Sequence, residues 1–195
     1  MTEFTRKYMS ETAQIAKLIS VEAIENIIEL LHKVKFQGGR VFVLGIGGSA
    51  ANASHAVNDF RKIAEIETYA PTDNISEITA RANDEGWQNV FSPWLKTSKL
   101  SHLDCIFILS VGGGDKDKNI SVNLCEAIDY AKSVNAKIIG IVGRDGGYTA
   151  KFADSIIIIP TVNTELVTQF TESFQQVIWH LIVSHPKLKI NPTTW

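Results

Sequence analysis

The chain predicts an α/β fold: a parallel sheet of five strands covered by helices on both faces, a three-layer αβα sandwich preceded by N-terminal helices. Three observations lead there. From residue 39 onward, short apolar runs alternate with helix-periodic stretches, the order that builds βαβ units. The runs Val41-Phe42-Val43-Leu44 and Cys105-Ile106-Phe107-Ile108-Leu109 are apolar at successive positions, as strands buried on both faces must be. Glycine-bearing loops follow three runs, at 45–49, 110–115 and 143–147, and the carboxyl ends of parallel strands are where such sheets hold ligands.

The elements follow in order. Residues 10–19 read as a short helix of their own or as the first half of a bent one. Ile24, Ile27, Ile28, Leu31 and Val34 recur at three- and four-residue spacing, one face of a helix that Gly38 and Gly39 stop. Apolar runs bounded by turn residues place strands at 40–44, a short 66–69, 105–110, 137–142 and 155–159. Between and after them, helices are expected at 50–62, 76–82, an irregular 87–99, 121–134, 149–152 and 168–184. No internal repeat or low-complexity linker divides the chain. Residues 1–195 are expected to form one domain, with 1–38 as its helical segment and 39–195 as its α/β core.

Composition narrows the partners. With 195 residues, 45% of them hydrophobic and 21% charged, the chain can bury a full core. A net charge of −2 without a dense Lys/Arg stripe gives no footprint for a nucleic-acid backbone. Cys105 and Cys125 lie in a strand-like run and a helix without metal-type spacing, and read as buried free thiols of a reducing compartment. No apolar leader or membrane-length run is present, so the expected location is the cytoplasm, with no membrane partner.

The chemistry concentrates in a few places. Residues 44–55 read LGIGGSAANASH, a glycine turn from a strand into a helix. The glycines let the backbone approach a ligand, and the free N–H groups at 49–52 favour an anion, so a phosphorylated small molecule is the first expectation. The same turn fits the GxGxxA dinucleotide fingerprint, with Glu65 or Glu67 about twenty residues on. Against that reading, some forty residues of helix precede the first strand, whereas dinucleotide domains open on theirs.

A second loop, Ser110-Val111-Gly112-Gly113-Gly114-Asp115-Lys116-Asp117-Lys118-Asn119, lacks the P-loop pattern. Its glycine N–H groups, the hydroxyls of Ser110 and Ser121, and Lys116 or Lys118 suit one phosphate. The bland alternative is a solvated mixed-charge turn. His55 and Asp59 share a helix face at four-residue spacing, and Glu172 and His180 lie two turns apart on the last helix, rotated by roughly 80°. If these four groups converge, they suit zinc or a similar divalent ion. His32, His102 and His185 have no partner pattern. Trp87, Trp94, Trp179 and Trp195 read as core or interface packing.

The order GxGGSAxxxxH, then Asn83-Asp84 with an aromatic-bearing segment ending Val90-Phe91, then a strand and a Ser-plus-glycine loop, then Val142-Gly143-Arg144-Asp145-Gly146-Gly147, resembles the sugar isomerase (SIS) domain. Within it, the chain is similar to the phosphoheptose isomerase branch, from the N-terminal helices to about Ser184. The resemblance implies a flavodoxin-like sheet, and a homotetramer with active sites between subunits. It also implies interconversion of sedoheptulose 7-phosphate and D-glycero-D-manno-heptose 7-phosphate, towards activated heptoses for surface polysaccharides. It assigns Ile46, Gly47, Gly48 and Ser49 to the substrate loop, Asn83 and Asp84 to substrate contacts, and Ser110 to the phosphate loop, with Gly112, Gly113, Gly114 and Ser121 beside it. His55, Asp59, Glu172 and His180 fall on the family's metal-ligand positions, one ion per subunit.

Three positions depart from the family's pattern. Its phosphate loop reads roughly Ser-Thr-Ser-Gly-x-Ser, where this chain has Ser110-Val111-Gly112-Gly113-Gly114-Asp115 and extra residues before the helix. Asp59 stands for a glutamate and Glu172 for a glutamine, so one carboxylate is expected to hold the metal and the other to move the proton. An enediol isomerisation needs a base, for which Asp59 or Glu172 is available, and an acid, for which His180 is available. Relatives of this branch include a non-catalytic protein that binds a replication initiator. The alternative is therefore a regulatory SIS module binding a sugar phosphate or a protein.

Overall fold

Ser20 divides the N-terminal region into two helices, α1 (Thr2–Leu18) and α2 (Val21–Phe36), by accepting the Ala23 N–H at 3.1 Å from an extended N-cap. The computed structural model describes residues 2–193; Met1, Thr194 and Trp195 lie outside them, and with them the packing expected of Trp195 and the ends of the expected 1–195 domain. α1 begins well before the expected residue 10. Its sequence is mostly polar and only Ile15 is buried, so the periodic signal is faint, while Glu3 in the first turn and Lys17 in the last suit the helix dipole.

Beyond α2 the elements alternate: β1 (Val41–Leu44), α3 (Gly48–Lys62), β2 (Thr68–Tyr69), α4 (Ile75–Asp84), α5 (Ser92–Thr97), β3 (Cys105–Ser110), α6 (Val122–Ser133), β4 (Lys137–Val142), α7 (Gly147–Phe152), β5 (Ser155–Ile158) and α8 (Val167–Ser184). The irregular helix expected over 87–99 is a 3₁₀ turn, Trp87–Asn89, followed by α5. Pro93 starts the new helix there, since it gives up a donor that the first turn does not use.

All four strand pairings are parallel, in the order β2-β1-β3-β4-β5. Side chains alternate across the sheet. Val41, Val43, Phe107, Leu109, Ile139 and Ile141 join Ile27, Leu31, Phe60, Ile178 and Trp179 on the face covered by α2, α3 and α8. Phe42, Leu44, Ile106, Ile108 and Ile138 join Leu95, Leu124 and Ile128 on the other face. Each such buried aliphatic or aromatic side chain contributes about 1.5–3 kcal/mol. The strand order reverses between β1 and β3, the switch point at which loops from neighbouring strands diverge and leave a crevice.

The opposite end of the sheet is closed by charge. Asp104, 2% exposed, accepts the Arg40 N–H at 2.9 Å, Arg40 Nε at 3.1 Å and Nη2 at 2.9 Å, and the Ser101 N–H at 2.8 Å. Arg40 also caps the end of α5 through the Ser98 and Lys99 carbonyls, each at 3.0 Å. Both cysteines are buried and unpaired; burial pushes the Cys105 thiol well up and that of Cys125 up to about 11. Among the described residues, no helix is long and apolar enough to cross a membrane.

Candidate active site

The three glycine loops open on one cavity of about 1250 Å³. Ile46 and Ser49 line it from the turn after β1, Ser110, Gly112 and Gly114 from the loop after β3, and Ser121 from the start of α6. Gly47, at φ +62°, starts α3 by offering its carbonyl to the Ala50 and Ala51 N–H groups at 3.0 and 3.2 Å.

The loop after β3 is shaped by backbone pairing. Ser110 Oγ accepts the Gly113 N–H at 3.0 Å, which leaves its own O–H free to donate. The Gly113 carbonyl accepts from Thr149 N at 2.9 Å and Thr149 Oγ1 at 2.7 Å, and the Gly114 carbonyl accepts from Tyr148 N at 2.7 Å. This stitching to α7 fixes Gly113 at φ +71° against Gly146, where a Cβ would collide with the Gly146 carbonyl. The extra residues form a small antiparallel pairing of Asp115 with Ile120, at 2.8 and 2.9 Å.

Both lysines expected to neutralise a phosphate here are committed elsewhere. Lys118 is paired with Asp115 at 2.9 Å, an interaction that holds the Asp115 carboxyl below its usual range. Lys116 is paired with Glu126 at 2.8 Å and with Asp129, which also accepts the Tyr148 hydroxyl at 2.8 Å. The cavity carries two cations that the sequence did not single out, Arg144 and Lys151, and neither side chain has a hydrogen bond or ion pair among the described residues. The one sequence signal for Arg144 was its place in the Val142-to-Gly147 motif.

A second cluster lies between α3 and α8. Asp59 Oδ2 stands 3.5 Å from His180 Nε2 and 4.0 Å from His55 Nε2, and the two imidazoles lie 5.3 Å apart at 83°. One ligand atom from each of the three lies within 4.8 Å of the others. Asn58 Nδ2 donates to Asp59 Oδ1 at 2.8 Å, and the buried Trp179 ring lies 4.8 Å from that of His55. Desolvation pushes His180 below the ordinary histidine value and His55 adds to this, while Asp59 opposes it. Two imidazoles and a carboxylate suit a divalent transition metal with a coordination position left open.

Glu172, the fourth group expected at this cluster, is not among the three. Eight residues before His180, it lies about 12 Å nearer the start of α8 and is rotated by roughly 80°, so its carboxylate reaches the turn after β1 and packs against Gly48. Asn52 Nδ2 holds this region by donating to the Glu172 carbonyl at 2.9 Å and to Gln175 Oε1 at 3.0 Å. Asn83 and Asp84 end α4 in solvent, where Asn83 Nδ2 donates to Asp84 Oδ1 at 2.7 Å; they do not line this chain's cavity.

Comparison with known proteins agrees with the fold. The family model described as the SIS domain matches residues 5–143. The chain is 29% identical over 191 residues to the lincomycin biosynthesis protein LmbN of Streptomyces lincolnensis, covering 92% of this chain and 68% of that protein. To the phosphoheptose isomerase of Geotalea daltonii it is 31% identical over 151 residues, 75% of each chain. The solved structure of the phosphoheptose isomerase GmhA from Neisseria gonorrhoeae is similar at a TM-score of 0.81 and 26% identity, covering 93% of this chain and 97% of that one.

Proposed function

Since the chain belongs to the SIS-domain family, we propose that it is a sugar-phosphate aldose–ketose isomerase, acting on sedoheptulose 7-phosphate to give D-glycero-D-manno-heptose 7-phosphate. The observation that carries this reading is that α3 and α8 hold two separate groups of acid–base and ligand side chains. One is a cluster of two imidazoles and a carboxylate; the other is the Glu172 carboxylate, at the turn whose Ser49 lines the cavity. The curated phosphoheptose isomerases that the chain resembles support the substrate class; a place in making activated heptoses for surface polysaccharides belongs to the same proposal.

His55, Asp59 and His180 would hold one divalent ion per subunit, zinc by the chemistry of the donors. Such an ion, when bound, supplies polarisation of the sugar carbonyl and stabilises negative charge on its oxygen. The chain's own residues do the rest. Ser110 and the backbone of the loop after β3 orient the phosphate end. Ser49 and the turn after β1 hold the sugar near Glu172. The Glu172 carboxylate takes the proton from the hydroxyl-bearing carbon, exchanges it with solvent while the enediol lasts, and delivers a proton to the neighbouring carbon; the hydroxyl proton of the first carbon passes to the former carbonyl oxygen, so ketose and aldose interconvert with no net gain or loss of protons.

The same reading gives a homotetramer with active sites between subunits. It is supported by Phe4, Met9 and Leu18, which α1 leaves exposed, and by Asn83 and Asp84, which are free to serve a neighbouring cavity. Light scattering at micromolar concentration tests it, and a monomer contradicts it. The protein is read as one domain over 1–195, cytoplasmic, without a nucleic-acid or membrane partner.

One observation favours the second reading, a regulatory SIS module without catalysis: both lysines of the loop after β3 are already ion-paired and Asp115 lies on the cavity wall. The test is incubation with sedoheptulose 7-phosphate and zinc, with detection of the aldose. Turnover supports the isomerase; its absence, with substrate bound, supports the module.

A further inference from the structure

The cavity walls hold an uncommitted cation above an open stretch of backbone. A Cβ built on Gly112 would meet only Arg144 Cδ, at 3.8 Å, so the aliphatic stem of Arg144 passes over Gly112. The Gly112 N–H has no acceptor among the described residues, and the Ser110 O–H beside it is free to donate. Arg144 itself is exposed, with no ion pair or hydrogen bond among the described residues.

The backbone holds Arg144 there at a cost. The Gly146 N–H donates to the Gly143 carbonyl at 3.0 Å and closes a tight turn whose first central residue is Arg144, at φ +52°. A positive φ at that position of a turn ordinarily selects glycine, asparagine or aspartate. An arginine there is a strained choice, and strain of this kind collects where a side chain has work to do. Asp117 and Asp145 also line the cavity. Asp145 is turned to the backbone, accepting the Gly147 N–H at 3.2 Å.

From this geometry we infer that Arg144, with the Gly112 N–H and the Ser110 hydroxyl, anchors the phosphate monoester of the substrate, in place of the lysines Lys116 and Lys118. The guanidinium fork matches two oxygens of a phosphate dianion at once, which a loop poor in hydroxyls otherwise fails to do. This rests on the sugar-phosphate reading and extends it by naming the group that reads the phosphate.

The test uses the intact protein with Arg144→Met, Arg144→Lys and Lys118→Met. It measures KM and kcat for sedoheptulose 7-phosphate and, independently of turnover, calorimetric binding of inorganic phosphate. Arg144→Met is expected to weaken phosphate binding and raise KM by about 10- to 100-fold, the worth of a lost charge-assisted contact, with kcat within about threefold. Arg144→Lys should recover part of the loss, and Lys118→Met should change either quantity by less than about twofold. Because Arg144 makes no contact that the fold uses, its variants should keep the parent's melting temperature. Unchanged phosphate binding in a folded Arg144→Met overturns the assignment, as does an equal loss in Lys118→Met. A parent that binds phosphate through Arg144 but turns over no sugar leaves the assignment standing and rejects the isomerase instead. A parent that binds neither phosphate nor sugar phosphate rejects both.

Discussion

The Glu172 carboxylate packs against the Cα of Gly48 so closely that a Cβ built there would collide with both of its oxygens. The contact places an ionisable group at the start of α3, beside the cavity and apart from the His55–Asp59–His180 cluster. On the proposed function the two carboxylates do different work, Asp59 with the imidazoles and Glu172 with the substrate.

Glu172→Gln should therefore keep its metal while turnover falls by about 10²- to 10⁴-fold, the usual contribution of a positioned base. Asp59→Asn should lower metal content and turnover together. Elemental analysis alongside kcat separates the two, and a fully active Glu172→Gln returns the base to Asp59.

Protein purified without chelator should carry about one divalent ion per chain, and His55→Ala/His180→Ala should carry none. Because desolvation holds His180 below the ordinary histidine range, its neutral, ligating form persists to lower pH than that of a free histidine. Metal retention measured by dialysis from pH 7.5 to pH 5 should fall only at the acid end. Full occupancy in the double variant would reject the cluster as a metal site.

Gly112 and Gly113 should behave differently under the same substitution. Gly113→Asp must break the contact with Gly146 and is expected to unfold or misfold the loop, whereas a Cβ on Gly112 meets only Arg144 Cδ, at an ordinary contact distance of 3.8 Å. Gly112→Asp should fold normally and weaken sugar-phosphate binding by about tenfold or more, as a carboxylate enters an anion site. Calorimetry on a folded Gly112→Asp that binds as tightly as the parent would remove the phosphate from this loop.

Burial alone would push the Asp104 carboxyl up, but the hydrogen bonds from Arg40 and Ser101 outweigh it and hold the group below its usual 3.8. Since the folded value is the lower one, the stabilisation is complete above about pH 4 and is lost as pH falls through the folded value. Asp104→Asn leaves Arg40 unpaired and should cost roughly 2–4 kcal/mol at pH 7, or about 5–15 °C in Tm. The gap between variant and parent should narrow as pH falls below the ordinary carboxylate range. A gap independent of pH would mean that packing, not charge, sets the loss.

Much of this was legible in the sequence because parallel strands and glycine loops leave local signals. The continuous apolar runs at Cys105–Ser110 and Lys137–Val142 gave both strands to the residue, and the Gly45-to-Ser49 turn located the switch-point cavity. Helical spacing paired His55 with Asp59, but spacing along one helix cannot say how far a second helix is offset against it. The expectation for Glu172 was accordingly drawn to the cluster, while α8 carries it to Gly48. Nor do charges announce their partners. Lys116 and Lys118 are the nearest cations in sequence to the phosphate loop, yet Asp129, Glu126 and Asp115 take them, while Arg144 enters from another loop.

Running the metal-supplied reaction in D₂O shows whether the carboxylate at Gly48 moves a proton between neighbouring sugar carbons. NMR of the product should find one deuterium at the carbon that receives the proton, in the parent and not at measurable rate in Glu172→Gln. Aldose formed without deuterium and at an unchanged rate in Glu172→Gln, or no aldose from the parent at all, would contradict it.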